Sequence, residues 1–158
     1  MKTLRDISDL TGARRPLTPM KTHFATKENT RFVKGRREWL EYLDTRIAEA
    51  SDGRAGATMS AAHGAMAEET GWHYHECEMQ IGLIMKGWID MQYEDGTEVR
   101  LEAGDVLFVP GGVVHNEVRA SEDLAGFEVT IPADMGTVPV DPPENWKPRT
   151  GAAGSDGL

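Results

Sequence analysis

Cysteine is almost absent from this chain of 158 residues, which contains only Cys77. A single cysteine excludes a framework of intramolecular disulfides and is compatible with a reducing compartment. The first residues lack the apolar segment of a signal peptide, and Arg14 and Arg15 precede Pro16 and polar residues rather than the apolar stretch of a twin-arginine signal. We therefore expect a cytoplasmic protein.

Long apolar runs and an excess of positive charge are also missing. No window approaches the roughly 18 apolar residues that a helix needs to span a bilayer. The chain carries 17 Lys and Arg against 26 Asp and Glu, which gives a formal net charge of −9. This charge argues against nucleic acid or an anionic membrane surface as a partner. We expect a small-molecule substrate or ligand instead.

Glycine, by contrast, is frequent, with 17 residues, and short apolar runs bounded by turn residues follow one another from residue 55 onward. Residues 89–93 alternate apolar and polar side chains before a hairpin turn at 94–97. Residues 127–131 alternate in the same way before Pro132. Many short strands separated by Gly and Pro turns predict an all-β sandwich or barrel in one domain.

The pattern divides the chain into three segments. We predict an N-terminal arm and lead-in over residues 1–54, a barrel core over 55–132, and a Pro- and Gly-rich tail over 133–158 that lacks regular structure and ends in disorder. Residues 36–50 are ambiguous, because a strand-rich fold around them can override the local helical pattern. The apolar residues that give this stretch its helical spacing are Trp39, Leu40, Leu43 and Ile47.

Three of the five histidines fall in two short motifs. His73 and His75 are two residues apart, so their side chains share one face of a strand. His115 follows a later apolar run, directly after a Pro-Gly-Gly corner. Neutral imidazole is the commonest ligand of transition metals, and two imidazoles on one face can take neighbouring positions on a metal. The spacing predicts a metal site formed by these three histidines.

Gln80 is the next candidate, five residues beyond His75. This odd offset places it on the same face only if a turn or bulge intervenes, and residues 76–78 lie where that break is needed. Gln80 either ligates the metal through its neutral carbonyl oxygen or hydrogen-bonds a metal-bound water or a substrate.

Both motifs resemble those of the cupin family. The first family motif is Gly, five residues, His-x-His, three or four residues, Glu, six residues and Gly, and the positions in register with it are His73, His75, Gln80 and Gly87. The second is Gly, five residues, Pro-x-Gly, two residues, His, three residues and Asn, and the positions that match are Gly104, Pro110, Gly112 and His115. The departures are Ala67 for the first Gly, Gln80 for Glu and Arg119 for Asn.

The resemblance implies a small single-domain, metal-binding cupin. Its expected fold is a double-stranded β-helix, a jelly-roll barrel, here with an extended N-terminal arm and with the metal at the wider end. It also implies a homodimer. The metal is a divalent Fe, Mn, Ni or Zn, since imidazole and amide ligands accept most of this series. With Gln80 in place of Glu, the metal keeps its full dipositive charge, so it is a stronger Lewis acid that binds more weakly.

Two further side chains are candidates for chemistry beside the metal. Glu128 lies mid-strand, and it is either a lumenal general base or a charge that points outward. Arg119 follows His115 by an even offset on a continuing strand, so it either faces the lumen and holds a substrate carboxylate or forms a surface salt bridge.

Cys77 is a buried hydrophobe or a soft metal ligand, and His63 lies on the surface or at the cavity mouth.

These residues favour a metal-dependent enzyme. The family analogy indicates a dioxygenase acting on a small enolisable, phenolic or dicarbonyl compound, with Gln80 positioning the substrate or oxygen and Glu128 taking a proton. A lyase or isomerase that uses the metal as a Lewis acid stays open, as does a non-catalytic module that binds or senses a small molecule. Sugar-nucleotide epimerase chemistry is disfavoured, because it needs an acid–base pair rather than a metal cluster.

Overall fold

Eleven β-strands and one short helix make up the part of the chain that the computed structural model describes, residues 20–34, 37–144 and 146. The strands are β1 Arg31–Lys34, β2 Leu40–Asp44, β3 Gly56–Ala62, β4 His73–Glu76, β5 Met79–Lys86, β6 Trp88–Tyr93, β7 Glu98–Glu102, β8 Val106–Pro110, β9 His115–Ala120, β10 Ala125–Ile131 and β11 Gly136–Pro139. The helix, α1, is Ile47–Ala50.

The strands form two antiparallel sheets. The first has six strands in the order β1-β2-β3-β10-β5-β8, and the second has five in the order β11-β4-β9-β6-β7. Strands that are distant in the chain are neighbours in both sheets, as β3 and β10 are in the first and β4 and β9 in the second. This architecture confirms the predicted all-β jelly-roll barrel. No helix among the described residues is long and apolar enough to cross a bilayer.

The lead-in segment contributes more to the barrel than the sequence predicted. β1 and β2 form a hairpin that continues the first sheet, with Leu40 opposite Ala62 on β3. The helical spacing of residues 36–50 is expressed only as the single turn of α1, because cross-strand pairing overrides the local pattern over 40–44. Residues 1–19 of the predicted arm lie outside the described residues.

The tail also differs from its prediction. β11 lies within the segment that was expected to lack regular structure, and it pairs with β4 so that Thr137 is opposite His75. β11 is an edge strand and Pro139 is its last residue. Proline is tolerated at this position because its missing N–H removes no hydrogen bond between the strands. The disorder predicted for the chain end concerns residues 151–158, which lie outside the described residues.

Apolar side chains from both sheets fill most of the core, and the buried ones are Trp72, Ile84, Met91, Val109, Val118 and Leu124. The largest fully buried side chains are nevertheless polar, namely His115 and Asn116. Burying polar groups costs free energy unless each finds a partner. A cluster of buried imidazoles at this depth therefore marks a site rather than ordinary packing.

Candidate metal centre

The three motif histidines converge inside the barrel. β4 carries His73 and His75, and His115 on the adjacent β9 lies opposite His73. One ligand nitrogen from each imidazole lies within 4.8 Å of the other two, and all three side chains are buried. The centroids of the rings are 4.5 to 5.1 Å apart. This compactness is the arrangement that a shared metal ion requires.

Backbone contacts between the two motifs fix this convergence. The amide of Gly112 donates to the carbonyl of His75 at 3.0 Å, and the amide of Gly111 donates to the carbonyl of Glu78 at 3.1 Å. Gly111 approaches so closely that a Cβ there would lie 1.6 Å from the carbonyl oxygen of Cys77. The Pro-Gly-Gly corner before β9 is thus tied to the turn after β4. That turn, between Glu76 and Met79, is the break predicted from the odd offset of Gln80.

Each imidazole is oriented through its Nδ1 atom. His73 Nδ1 is 2.7 Å from the carbonyl oxygen of Gly71, His115 Nδ1 is 2.9 Å from that of Val113, and His75 Nδ1 is 3.1 Å from Thr137 Oγ1. A carbonyl oxygen can only accept, so His73 and His115 carry their hydrogen on Nδ1. Their Nε2 lone pairs remain for another partner. Metal-binding histidines are commonly fixed by such a bond to the second ring nitrogen.

His73 supplies a direct test of whether a metal fits. Its Nε2 atom is buried and has no hydrogen-bond partner among the described residues. Burial lowers the pKa of His73 and outweighs the neighbouring carboxylate of Glu117, so the imidazole is neutral near pH 7. A buried, neutral nitrogen with an unused lone pair is costly without a partner and is a good ligand with one. The donor set therefore fits a divalent transition metal.

A cavity of about 140 Å³ opens onto the three histidines, and Gln80 and Glu128 form part of its wall. The amide of Gln80 donates a hydrogen bond of 2.6 Å to the carboxylate of Glu128. Apolar side chains make up much of the remaining lining, among them Trp39, Ile89, Met91, Leu107 and Phe127. A small organic molecule fits such a cavity, whose wall combines polar and apolar side chains.

Arg119 lies outside the cavity that contains the three histidines. Its guanidinium donates to Asp90 at 2.7 Å, and its side chain is about half exposed and is not part of the cavity wall. The reason is an irregularity between β6 and β9, where Asp90 is opposite Arg119 while Met91 is opposite Glu117. The extra residue on β9 breaks the even-offset rule that links His115 to Arg119. The salt-bridge alternative describes the position of Arg119, and the predicted contact with a substrate carboxylate has no geometric support.

Sequence reasoning overlooked Glu117, which lies in the cavity wall two residues beyond His115. Its Oε2 atom accepts a short hydrogen bond from Thr70 Oγ1 and lies 3.7 Å from His73 Nε2 and 3.9 Å from Arg37. Burial alone would raise the pKa of Glu117, but the hydrogen bond from the Thr70 hydroxyl and the charge of Arg37 lower it. The His-x-Glu spacing on β9 repeats the His-x-His spacing on β4, and that signal could have identified it.

The remaining candidates lie apart from the centre. Cys77 is a free, half-buried thiol whose pKa is raised by burial and by Glu128, and it does not belong to the group of metal-binding side chains. His63 is exposed and is not part of the cavity wall. Of its two predicted positions, the surface and the cavity mouth, His63 therefore occupies the surface.

Comparison with known proteins agrees with this fold. Residues 59–129 match the family model of the cupin domain, and this segment contains both histidine motifs. This segment of the chain is a cupin domain. A search of curated proteins found no match.

Solved structures share the fold at low sequence identity. The polyketide cyclase RemF from Streptomyces resistomycificus is 16% identical, with 79% of this chain and 89% of that chain covered and a TM-score of 0.61. KdgF from Halomonas sp. is 18% identical over 69% and 94% of the two chains, with a TM-score of 0.56. The nucleoside dehydratase Pac13 of Streptomyces is 12% identical over 77% and 94%, with a TM-score of 0.54. Likeness at these identities concerns the fold alone.

Proposed function

We propose that this cupin is a metal-dependent enzyme acting on a small enolisable, phenolic or dicarbonyl compound. The observation that carries the proposal is the buried three-histidine group, which lines one cavity together with a polar pair, Gln80 and Glu128. His73, His75 and His115 would hold the metal, and Gln80 is a further candidate ligand through its carbonyl oxygen. A divalent metal bound here supplies a Lewis acid that polarises a substrate oxygen, or a redox centre if the ion is Fe or Mn.

The chain's own side chains supply positioning and proton transfer. Glu128 takes a proton from carbon or oxygen of the substrate at its carboxylate, and Gln80 holds that carboxylate in one orientation through its amide. The apolar wall around Trp39 and Phe127 excludes water and favours a compact, largely apolar substrate. An acid–base group beside a Lewis-acid site is the minimum needed for chemistry through an enolate.

Two reaction classes use this arrangement. The dioxygenase class, indicated by the family analogy, needs a redox-active metal with open positions for substrate and dioxygen. The lyase or isomerase class needs only a Lewis acid and a proton-transfer group, and the Gln80–Glu128 pair favours it. The fold neighbours support the second class by analogy only, since two of them are a polyketide cyclase and a nucleoside dehydratase.

Elemental analysis of the purified protein beside His75→Ala tests the proposal first. We expect about one transition metal per chain in the wild type and its loss in the variant. Loaded protein is then given a panel of enolisable, phenolic and dicarbonyl compounds, with dissolved oxygen and product NMR followed together. Oxygen consumption identifies a dioxygenase, and turnover without oxygen identifies a lyase or isomerase. Metal binding with ligand binding but no turnover identifies a binding or sensing module, and absence of metal binding refutes the metalloenzyme.

A homodimer is part of the same proposal. An exposed apolar face covers the outer side of β5 and β8, where Ile81 is opposite Phe108 and Leu83 is opposite Val106. Met85 extends this face, and Val106 and Phe108 are more than 60% exposed. Contiguous apolar surface at the edge of a sheet is unfavourable in water and is typical of an interface. A second copy of the chain, paired through this β5–β8 face, would cover it.

A further inference from the structure

Glu117 is a carboxylate in the cavity wall that the proposed mechanism does not use. It lies on β9 two residues beyond His115, and its side chain is 21% exposed. From its geometry we infer that Glu117 is the fourth protein ligand of the metal held by His73, His75 and His115. This inference rests on the proposed metal site and goes beyond it, because the carboxylate comes from β9 and not from the first-motif position that Gln80 occupies.

The strongest argument is the contact between Glu117 and His73. Oε2 of Glu117 lies 3.7 Å from His73 Nε2, the buried nitrogen that has no hydrogen-bond partner among the described residues. The hydrogen of His73 is on Nδ1, where the carbonyl of Gly71 accepts it. Two lone-pair atoms therefore lie 3.7 Å apart with no hydrogen between them, and a cation bound to both would make this contact favourable.

The distance suits a shared ion. Nitrogen and oxygen ligands lie roughly 2.0 to 2.2 Å from zinc, so two ligands of one ion are at most about 4.4 Å apart. The 3.7 Å between Oε2 and Nε2 is within this limit. Glu117 stands outside the group in which all three imidazole nitrogens lie within 4.8 Å of one another. Coordination therefore needs a rotation about the bonds of the Glu117 side chain.

The surroundings of Glu117 leave a ligand atom for this purpose. The contacts with Thr70, Arg37 and His73 all involve Oε2. None of these three contacts uses Oε1, so this oxygen is the one we assign to the metal. Thr70 and Arg37 hold the carboxylate in place, as the oriented partners of metal-binding carboxylates commonly do.

The consequence concerns charge. Three neutral imidazoles and Gln80 leave a divalent metal with its full charge, whereas Glu117 supplies one negative charge directly. The site then binds metal more tightly and is a milder Lewis acid than a site with three histidines and a glutamine. Gln80 is thereby free of a ligand role and acts as the partner of Glu128.

Zinc affinity measured by competition with a chelator tests the inference on wild type, Glu117→Gln and Glu128→Gln. The control removes a carboxylate from another part of the same cavity wall with an equally isosteric change. We expect about a tenfold or greater loss of affinity in E117Q and little change in E128Q. With Co(II) in place of zinc, E117Q changes the visible absorption bands, which report the ligand set, and E128Q does not. Equal affinity and identical bands in wild type and E117Q overturn the inference.

A crystal structure of the zinc-loaded wild type decides the matter without any variant, should E117Q fail to fold. We expect an oxygen of Glu117 at about 2.0 to 2.2 Å from the metal. A Glu117 oxygen beyond about 3 Å, with the metal held by the histidines alone or with Gln80, overturns this inference and leaves the proposed function intact. A wild-type protein that binds no metal overturns both.

Discussion

Gln80 and Glu128 form one unit in the cavity wall, because the side-chain amide of Gln80 donates a 2.6 Å hydrogen bond to the carboxylate of Glu128. On the paired strands β5 and β10, Gln80 is opposite Thr130 and Glu128 is opposite Gly82, so the two are diagonal neighbours on the inner face. The cupin family's usual metal-binding glutamate would put a second carboxylate beside Glu128. Glutamine avoids that repulsion and orients the remaining carboxylate.

Replacing Glu128 with glutamine should abolish proton transfer while preserving the site. The variant Glu128→Gln keeps the shape of the side chain and an oxygen that Gln80 can still donate to, but it cannot take a proton. We expect turnover to fall by about 10²- to 10⁴-fold, the usual contribution of a positioned general base, with metal content and melting temperature unchanged. Glu122→Gln, a change on an exposed turn, is the control. Unchanged turnover in E128Q would mean that another group moves the proton.

Thr137 is expected to control metal affinity through His75. Its hydroxyl oxygen is 3.1 Å from His75 Nδ1, so Thr137→Val removes the group that orients this imidazole while nearly preserving volume. We expect metal affinity to fall by about 10- to 100-fold, as loss of such an orienting partner commonly causes. Chelator competition measures this, with the exposed Thr22→Val as control. Equal affinity in T137V and wild type would show that packing alone holds the ring.

The histidine cluster could be predicted from the sequence because its signal is local. Strand parity places His73 and His75 on one face. Pro110 and the two glycines after it predict the corner before His115. The register between β4 and β9 then brings the rings together. The general fold was predictable for the same reason, since turn residues and alternation recur throughout the barrel.

What could not be predicted depends on contacts between distant segments. The irregularity between β6 and β9 turns Arg119 out of the cavity, and nothing in the spacing from His115 indicates it. β2 has helical spacing but becomes a strand because β1 and β3 pair with it. β11 forms in a proline-rich segment because β4 offers a free edge. The His-x-Glu spacing of His115 and Glu117 is present in the sequence, but only the contact between Glu117 and His73 indicates that Glu117 belongs to the site.

The exposed β5–β8 face predicts a dimer that a single charge should disrupt. Phe108 is 62% exposed at the centre of this face, opposite Ile81, so Phe108→Asp would bury an unpaired carboxylate in the interface. We expect sedimentation velocity to show a dimer for the wild type and a monomer for F108D. Phe32→Asp, an equally drastic change at the 65% exposed Phe32 on β1, should remain dimeric. A monomeric wild type, or dissociation by both variants alike, would refute this interface.

Asp90 should stabilise the fold in a pH-dependent way. It accepts hydrogen bonds from Arg100 and Arg119, and these bonds, with that of Arg100 the strongest, lower the pKa of Asp90 against the effect of burial. The folded pKa is therefore below the unfolded one. The stabilisation is complete above the unfolded pKa and disappears as the pH falls through the folded value.

The variant Asp90→Asn measures this contribution. Because both arginines are more than 40% exposed, we expect a loss of only about 1 kcal/mol in the free energy of unfolding near pH 7. Urea denaturation at several pH values should show the gap between wild type and D90N constant above about pH 5 and closing as the pH falls below about 4. Asp134→Asn, the same change at an exposed position, is the control. A gap that grows in acid would contradict the sign derived for Asp90.

Gly111 links the two motifs, so a methyl group there should damage the site as well as the fold. A Cβ on Gly111 would overlap the carbonyl oxygen of Cys77, and neither backbone segment can yield without shifting the bonds that tie Gly111 to Glu78 and Gly112 to His75. For Gly111→Ala we expect a loss of about 2 to 3 kcal/mol in the free energy of unfolding and weaker metal binding in the fraction that folds. Gly64→Ala, where a Cβ meets no atom within 4 Å and φ is ordinary, is the matched control. If G111A binds metal like the wild type, the corner does not position His115, and the alignment of the three imidazoles must come from the strands alone.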